Sequence, residues 1–232
     1  MQVNKPFRLH ILGTDTDVGK TWVSSLCLEI LSSLGRNPLP IKPVHSGWPK
    51  AELCGPDLQA LLPYSKPCDP RLLCAYAFEA PMSPFGAAQL EGRSIELSVL
   101  EDFWKQLVHL PADTFVVEGI GGVCCPLNRD FTYLEWLQKA KAPVVLISKV
   151  GLGSLNQAIM SYRLLKHAGL EVCAIVLNEE KEFAHDDLIA NSCREELGKM
   201  VAAPIVGPLK RGQRLRHLEI LKPMLQKALT CN

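Results

Sequence analysis

The segment Gly13-Thr14-Asp15-Thr16-Asp17-Val18-Gly19-Lys20-Thr21 has the residue types of a loop that cradles phosphate. Backbone N–H groups in such a loop point inward, and the N-terminus of the helix that follows adds positive potential. Lys20 can reach the β- and γ-phosphates of a nucleotide, and the Thr21 hydroxyl can bind Mg²⁺. The strict spacing Gly-x₄-Gly-Lys-Ser/Thr is not met. Thr14 holds the first glycine position, and Gly13 stands one residue earlier. A chance Gly-Lys-Thr in a turn would carry the same letters, but a strand before and a helix after are the context a phosphate loop requires.

Other charged residues fall at strand ends. Glu118 closes an apolar segment and is followed by Gly119-Ile120-Gly121-Gly122. Ligands of parallel sheets bind beyond the carboxyl ends of strands, so Glu118 would face the same crevice and complete a Mg²⁺ shell. The other reading is an exposed carboxylate in a glycine-rich turn. Lys42, in Lys42-Pro43-Val44-His45-Ser46-Gly47, would bring a second cation to an anionic transition state, or would be a solvated lysine. Ser46 offers a hydrogen bond to a polar substrate, and His45 reads as a polar neighbour rather than a base. Asp57 suits either a helix N-cap or a Mg²⁺ ligand, and its residue type favours the cap. Gly151-Leu152-Gly153-Ser154-Leu155-Asn156 precedes a helix whose free N–H groups would hold a carboxylate, or is an ordinary turn.

Positioning these groups takes strands alternating with helices. Arg8–Leu12, Thr114–Glu118, Val144–Lys149 and Val172–Leu177 read as buried strands, Ile205–Val206 as a short last one, and Leu39–Val44 as an extended piece broken by prolines. Helices are expected over Thr21–Leu34, Ser98–Val108, Thr132–Lys139, Ser154–Ala168 and Asp186–Leu197. Two of them open with capping boxes, Thr132-x-x-Glu135 and Ser154-x-x-Gln157. Fully apolar strands alternating with helices predict an α/β fold of one domain, a mostly parallel sheet covered on both faces. The proline-rich stretch 48–84 reads as the flank of an active site.

Composition narrows the function classes. The chain has 232 residues, a net charge of +1, 47% apolar and 21% charged residues, which excludes disorder and a supercharged nucleic-acid binder. No apolar run approaches the ~18 residues that span a bilayer, and no leader segment is evident. Nine cysteines without a Cys-x-x-Cys read as free thiols in a reducing compartment, so the protein is expected to be cytoplasmic. Six Lys/Arg against one Glu from Pro208 onward read as a solvated helical face.

Together the segments GTDTDVGKT (13–21), KPVHSG (42–47), Asp57, PMSP (81–84), VEGIGG (117–122), GLGSLN (151–156) and VLNE (176–179) resemble the ATP-dependent dethiobiotin synthetases. They run in family order from residue 8 to about 208, and GTDT-x-VGKT with KPV-x-SG and VEG-x-GG is a specific combination. Partitioning ATPases of the deviant P-loop type carry a signature lysine where this chain has Asp15, which argues against a non-catalytic, partner-recruiting nucleotide switch. One departure from the family is the segment expected after the last strand. It reads Gly207-Pro208-Leu209-Lys210 in place of the usual Gly-x-Ile/Leu-Pro.

The resemblance implies a P-loop NTPase fold, a homodimer, and ATP, Mg²⁺, CO₂ and 7,8-diaminononanoate as what the site handles, with no nucleic acid or membrane partner. It implies that Asp17, Val18, Gly19, Lys20, Thr21 and Trp22 wrap the phosphates and that Thr21, Asp57 and Glu118 bind Mg²⁺. Gly119, Ile120, Gly121, Asn178 and Glu179 would complete the nucleotide site, with Asn178 reading the base. Lys20 and Lys42 would be catalytic, flanking the γ-phosphate and a carbamate. Ser46, Gly121 and Gly122 would contact the diamine, and Gly153, Ser154 and Asn156 the substrate carboxylate in the neighbouring subunit.

Overall fold

The computed structural model describes residues 5–179 and 186–230. Strands β1 (Phe7–Gly13), β2 (Pro38–Ile41), β3 (Val44–Ser46), β4 (Tyr76–Phe78), β5 (Thr114–Gly122), β6 (Val144–Lys149), β7 (Val172–Glu179) and β8 (Ile205–Lys210) alternate with helices. The helices are α1 (Lys20–Ser33), α2 (Pro56–Leu61), α3 (Pro84–Leu90), α4 (Leu97–Gln106), α5 (Tyr133–Ala140), α6 (Ser154–His167), α7 (Asp186–Met200) and α8 (Arg214–Thr230). Six strands form one sheet in the order β2-β5-β1-β6-β7-β8, and every pairing is parallel. All six strands therefore deliver their carboxyl ends to one edge of the sheet.

Side chains alternate across each strand, and the two faces bury separate cores. Phe115, Val117, Leu146 and Ile175 pack with α4, α5 and α6 on one face. Leu9, Ile11, Val116, Ile147 and Val176 pack on the other against Val23, Leu26 and Leu31 of α1 and Leu221 and Leu225 of α8. Both faces being apolar is why these segments read as continuous hydrophobic runs rather than alternating ones. The basic C-terminal segment is such a core helix: Leu221, Leu225 and Ala228 are buried, while Arg216, Lys222 and Lys227 stay in solvent.

Four local expectations need correction. The proline-broken segment 39–44 is two strands, and β3 leaves the main sheet to pair with β4 in a separate two-stranded sheet. Asp57 is not an N-cap; Gly55 holds that place, Pro56 opens α2 and Asp57 lies in its first turn with its side chain turned elsewhere. Ser154 forms no capping box. Gly153 in the left-handed conformation precedes α6, the Ser154 hydroxyl donates to Gly151 O at 2.7 Å, and the Gln157 amide donates to Asp15 Oδ2 at 3.2 Å. The segment 207–210 does not follow the last strand but lies inside β8, which runs to Lys210. At α5, by contrast, the capping box is complete, with Thr132 and Glu135 bonding each other's backbone.

Candidate active site

The phosphate loop runs from β1 into α1. Gly13 is needed there: a Cβ would sit 2.6 Å from Asp15 O and 2.8 Å from a Val18 methyl. The glycine the strict motif wants one residue later is thus supplied at the strand's last position. Gly19 has φ of 91°, a left-handed conformation that ends the loop and starts α1. The Asn178 amide, from the end of β7, donates to Val18 O at 3.0 Å and ties the loop to a second strand.

Two lysines and two carboxylates meet at the carboxyl edge of the sheet; Glu118 does not close its strand as expected but lies inside β5, which runs on through the glycines to Gly122. Lys20, 8% exposed, donates to Asp15 O at 2.9 Å and to Gly121 O at 3.1 Å. Lys42, directly after β2 and 3% exposed, donates to Glu118 Oε1 at 2.8 Å, Asp57 Oδ2 at 2.7 Å and Gly119 O at 3.0 Å. The Thr21 hydroxyl donates to Glu118 Oε1 at 3.0 Å and lies 3.4 Å from Asp57 Oδ1. Ser24, one turn along α1, donates to Glu118 Oε2 at 2.9 Å. The sequence reading missed Ser24. Its signal is a polar residue three positions after Thr21, hence on the same helix face, with Ser25 beside it as an equally polar neighbour.

The two ammonium groups differ electrostatically. Burial would lower the pKa of Lys42, but the charges and hydrogen bonds of Glu118 and Asp57 outweigh it and hold the group above its ordinary value. Lys20 is lowered, by burial first and then by Lys42, with Glu118, Asp57 and Asp17 opposing. Burial opposes ionisation of Asp57 too, yet Lys42, His45 and Lys20 bring its pKa below the ordinary carboxylate value. His45 is lowered, by burial first, with Asp57 pulling the other way.

Lys20, Thr21, Lys42, Asp57 and Glu118 line a cleft of about 1300 Å³ together with Asp17, Gly19, Ser46, Ile120, Gly121 and Gly122, while Ser24 and His45 lie behind its wall. Pro81–Pro84, Cys124–Cys125 and the later turns of α6 (Met160, Arg163, His167) add to the lining, so Asp57 and residues 81–84 of the irregular stretch 48–84 flank the cleft. Val18 is buried beneath the loop, and Gly119 contributes only its carbonyl to Lys42. Trp22, Asn178 and Glu179 do not line the cleft. Trp22 packs edgewise on His217 and under the Arg214 guanidinium, and Glu179 is buried at the end of β7. Gly153 and Asn156 are exposed at the start of α6, outside the cleft with Ser154.

The oxygens of Thr21, Asp57 and Glu118 are the hard ligands Mg²⁺ prefers. They neighbour one another, the Thr21 hydroxyl within 3.4 Å of an oxygen of each carboxylate, and the Lys42 ammonium shared by Asp57 and Glu118 shows that the two carboxylates neutralise a positive charge. The residues fit a divalent cation beside phosphate. Cys27, Cys54, Cys68, Cys74, Cys124, Cys125 and Cys193 are free thiols, and Cys231 lies outside the described residues. Among the described residues no helix is long and apolar enough to cross a membrane.

A family model described as an AAA domain matches residues 8–216. The chain is similar in fold to the MinD cell division protein of Aquifex aeolicus, with a TM-score of 0.58 at 12% identity over 97% of both chains. It is similar to the hydrogenase maturation factor HypB of Archaeoglobus fulgidus, with a TM-score of 0.53 at 15% identity over 95% of this chain and 90% of that one. The sequence is 34% identical to the ATP-dependent dethiobiotin synthetase BioD 1 of Escherichia coli O157:H7 over 205 residues, 86% of this chain and 88% of that protein. It is also 34% identical to BioD of Anaeromyxobacter sp. (strain Fw109-5) over 175 residues, 75% of this chain and 77% of that protein. The solved structures share only the P-loop fold, whereas these relatives match over most of their length: the chain belongs to the ATP-dependent dethiobiotin synthetase family.

Proposed function

We propose that the protein joins 7,8-diaminononanoate and CO₂ at the expense of ATP to give dethiobiotin, ADP and phosphate, a step of biotin synthesis, with residues 1–232 acting as one domain. The observation that carries this reading is the convergence of Lys20, Lys42, Thr21, Asp57 and Glu118 in one cleft. The reaction needs alignment and charge neutralisation rather than a protein nucleophile. A neutral amine adds to CO₂ and gives a carbamate. The carbamate oxygen takes the γ-phosphoryl group, and the second amine closes the ring and expels phosphate.

Each residue has a part in this scheme. The 13–21 loop and the start of α1 hold the phosphates. Thr21, Asp57 and Glu118 would hold Mg²⁺, which supplies charge neutralisation at the phosphate oxygens. Lys20 lies between the phosphate loop and Gly121, and Lys42 stays protonated beside the carbamate. Ser46 and the Gly121–Gly122 backbone orient the diamine. Gly153, Ser154 and Asn156, outside their own cleft, serve the substrate carboxylate in the other subunit of a homodimer. Asn178 and Glu179 stand at the base end of the nucleotide. The protein is a cytoplasmic enzyme of small-molecule substrates.

The test is phosphate release from Mg·ATP with bicarbonate, with and without 7,8-diaminononanoate, while dethiobiotin is followed by mass. Release that depends on the diamine, with product formed, supports the reading. Release indifferent to the diamine sinks it in favour of a nucleotide switch.

A further inference from the structure

His45 is the residue of the Lys-Pro-Val-x-Ser-Gly segment that the family pattern leaves open, and here it is buried, 2% exposed. Its ring lies flat on Gly55. A Cβ at that position would be 2.7 Å from both His45 Cε1 and Nε2. On another side, Trp48 meets the ring edgewise at 5.9 Å, and the Trp48 indole N–H donates to Glu52 O at 3.2 Å. The ring is therefore fixed against the turn Gly55-Pro56-Asp57 that opens α2.

Nε2 lies 3.5 Å from Asp57 Oδ2, too long for a formed hydrogen bond, so the ring is poised toward the carboxylate rather than bonded to it, and the Ser46 backbone is the competing partner of the imidazole. The same oxygen takes the Lys42 ammonium at 2.7 Å. A buried imidazole N–H beside a carboxylate has reason to donate to it, because an unmade hydrogen bond is costly there. Carboxylates that ligate metal ions are commonly held by a neutral donor of this kind. We infer that His45 is a positioning residue whose Nε2–H holds the Asp57 carboxylate in the orientation a divalent cation needs. The inference rests on Asp57 being a metal ligand, as proposed above. Lys42 alone cannot fill this role, since it is shared between Asp57 and Glu118.

The experiment uses the full chain saturated with β,γ-methylene-ATP, with Mn²⁺ binding read from the electron paramagnetic resonance signal of free Mn²⁺. His45→Met removes the donor at similar length, and His45→Gln keeps an amide N–H there. His45→Met should weaken Mn²⁺ binding about tenfold, the loss typical of such partners, and His45→Gln should recover most of it. In an Asp57→Asn background, His45→Met should cost nothing further. Equal losses in the two His45 variants would overturn the inference. So would a His45→Met loss that persists in Asp57→Asn, or an Asp57→Asn variant that binds Mn²⁺ like the parent. ¹⁵N NMR of labelled histidine in the unaltered protein gives an answer without mutation: the proton must sit on Nε2, and a proton on Nδ1 alone overturns it. Dethiobiotin formation is scored separately, so a parent that makes no product but shows this Mn²⁺ pattern sinks the functional reading and leaves the positioning role standing.

Discussion

Lys42 and His10 are both buried, ionisable and close to the central strands, yet they end in opposite charge states. Lys42 has two carboxylates and a carbonyl within 3.0 Å and stays protonated. His10 stacks on Trp104 at 5.3 Å and meets Trp136 edgewise at 5.5 Å, with no hydrogen bond to either nitrogen. Its pKa is pushed down to about 3, by burial first and then by Arg8. Depth alone does not decide charge. A buried group keeps its charge only where the chain spends other charges on it, and this chain does so at the cleft and not in its aromatic core.

The sharpest way to break this contrast is to remove the charge. Lys42→Gln should lower kcat by roughly 10³-fold, and Lys20→Gln by roughly 10²-fold or more, as expected for groups that stabilise developing negative charge. Single-turnover kinetics on variants with native circular dichroism check this; near-normal turnover in either removes that lysine from the mechanism.

The core side of the contrast shows in acid. His10 has a folded pKa near 3 against an ordinary 6.5, so its contribution is present above pH 6.5 and is lost as pH falls from 6.5 toward 3. Stability should fall by about 1.4 kcal/mol per pH unit from this residue across that window. Urea unfolding at pH 7 and pH 5 should show His10→Phe losing about 2 kcal/mol less than the parent. Equal losses would mean that His10 is not held neutral.

Two smaller effects refine the picture. Thr21→Val should raise the Mg²⁺ concentration for half-maximal activity about tenfold, because a ligand is lost but both carboxylates remain. An unchanged Mg²⁺ dependence would remove the hydroxyl from the metal shell. Thr132→Ala, which breaks the cap of the helix carrying Trp136, should cost about 1 kcal/mol in urea unfolding and leave turnover alone. A lowered kcat there would mean that the aromatic core and the cleft are not independent.

What the sequence revealed follows the distance over which each feature is encoded. The phosphate loop, Glu118 with its glycines and the Thr132 cap were legible because each lies within a few consecutive residues. The strands of the main sheet were legible as apolar runs because both of their faces are covered. The separate β3–β4 sheet was not, since it depends on pairing Val44–Ser46 with Tyr76–Phe78 across an irregular stretch. Ser154 misled because its hydroxyl turns back to Gly151 while Gln157 is drawn to Asp15, a partner 142 residues away. Asp57 read alone favoured a cap. Only the long-range approach of Lys42 and Thr21 reveals where its oxygens point.

Lys20 bonds at once to a carbonyl of the phosphate loop and to Gly121 at the end of β5. On the proposed reading, one ammonium thus spans the nucleotide half and the diamine half of the cleft. Such a shared contact makes the two binding equilibria a linked pair. Whatever factor the diamine imposes on nucleotide affinity, the nucleotide must impose on diamine affinity, and Lys20 is a contact common to both halves.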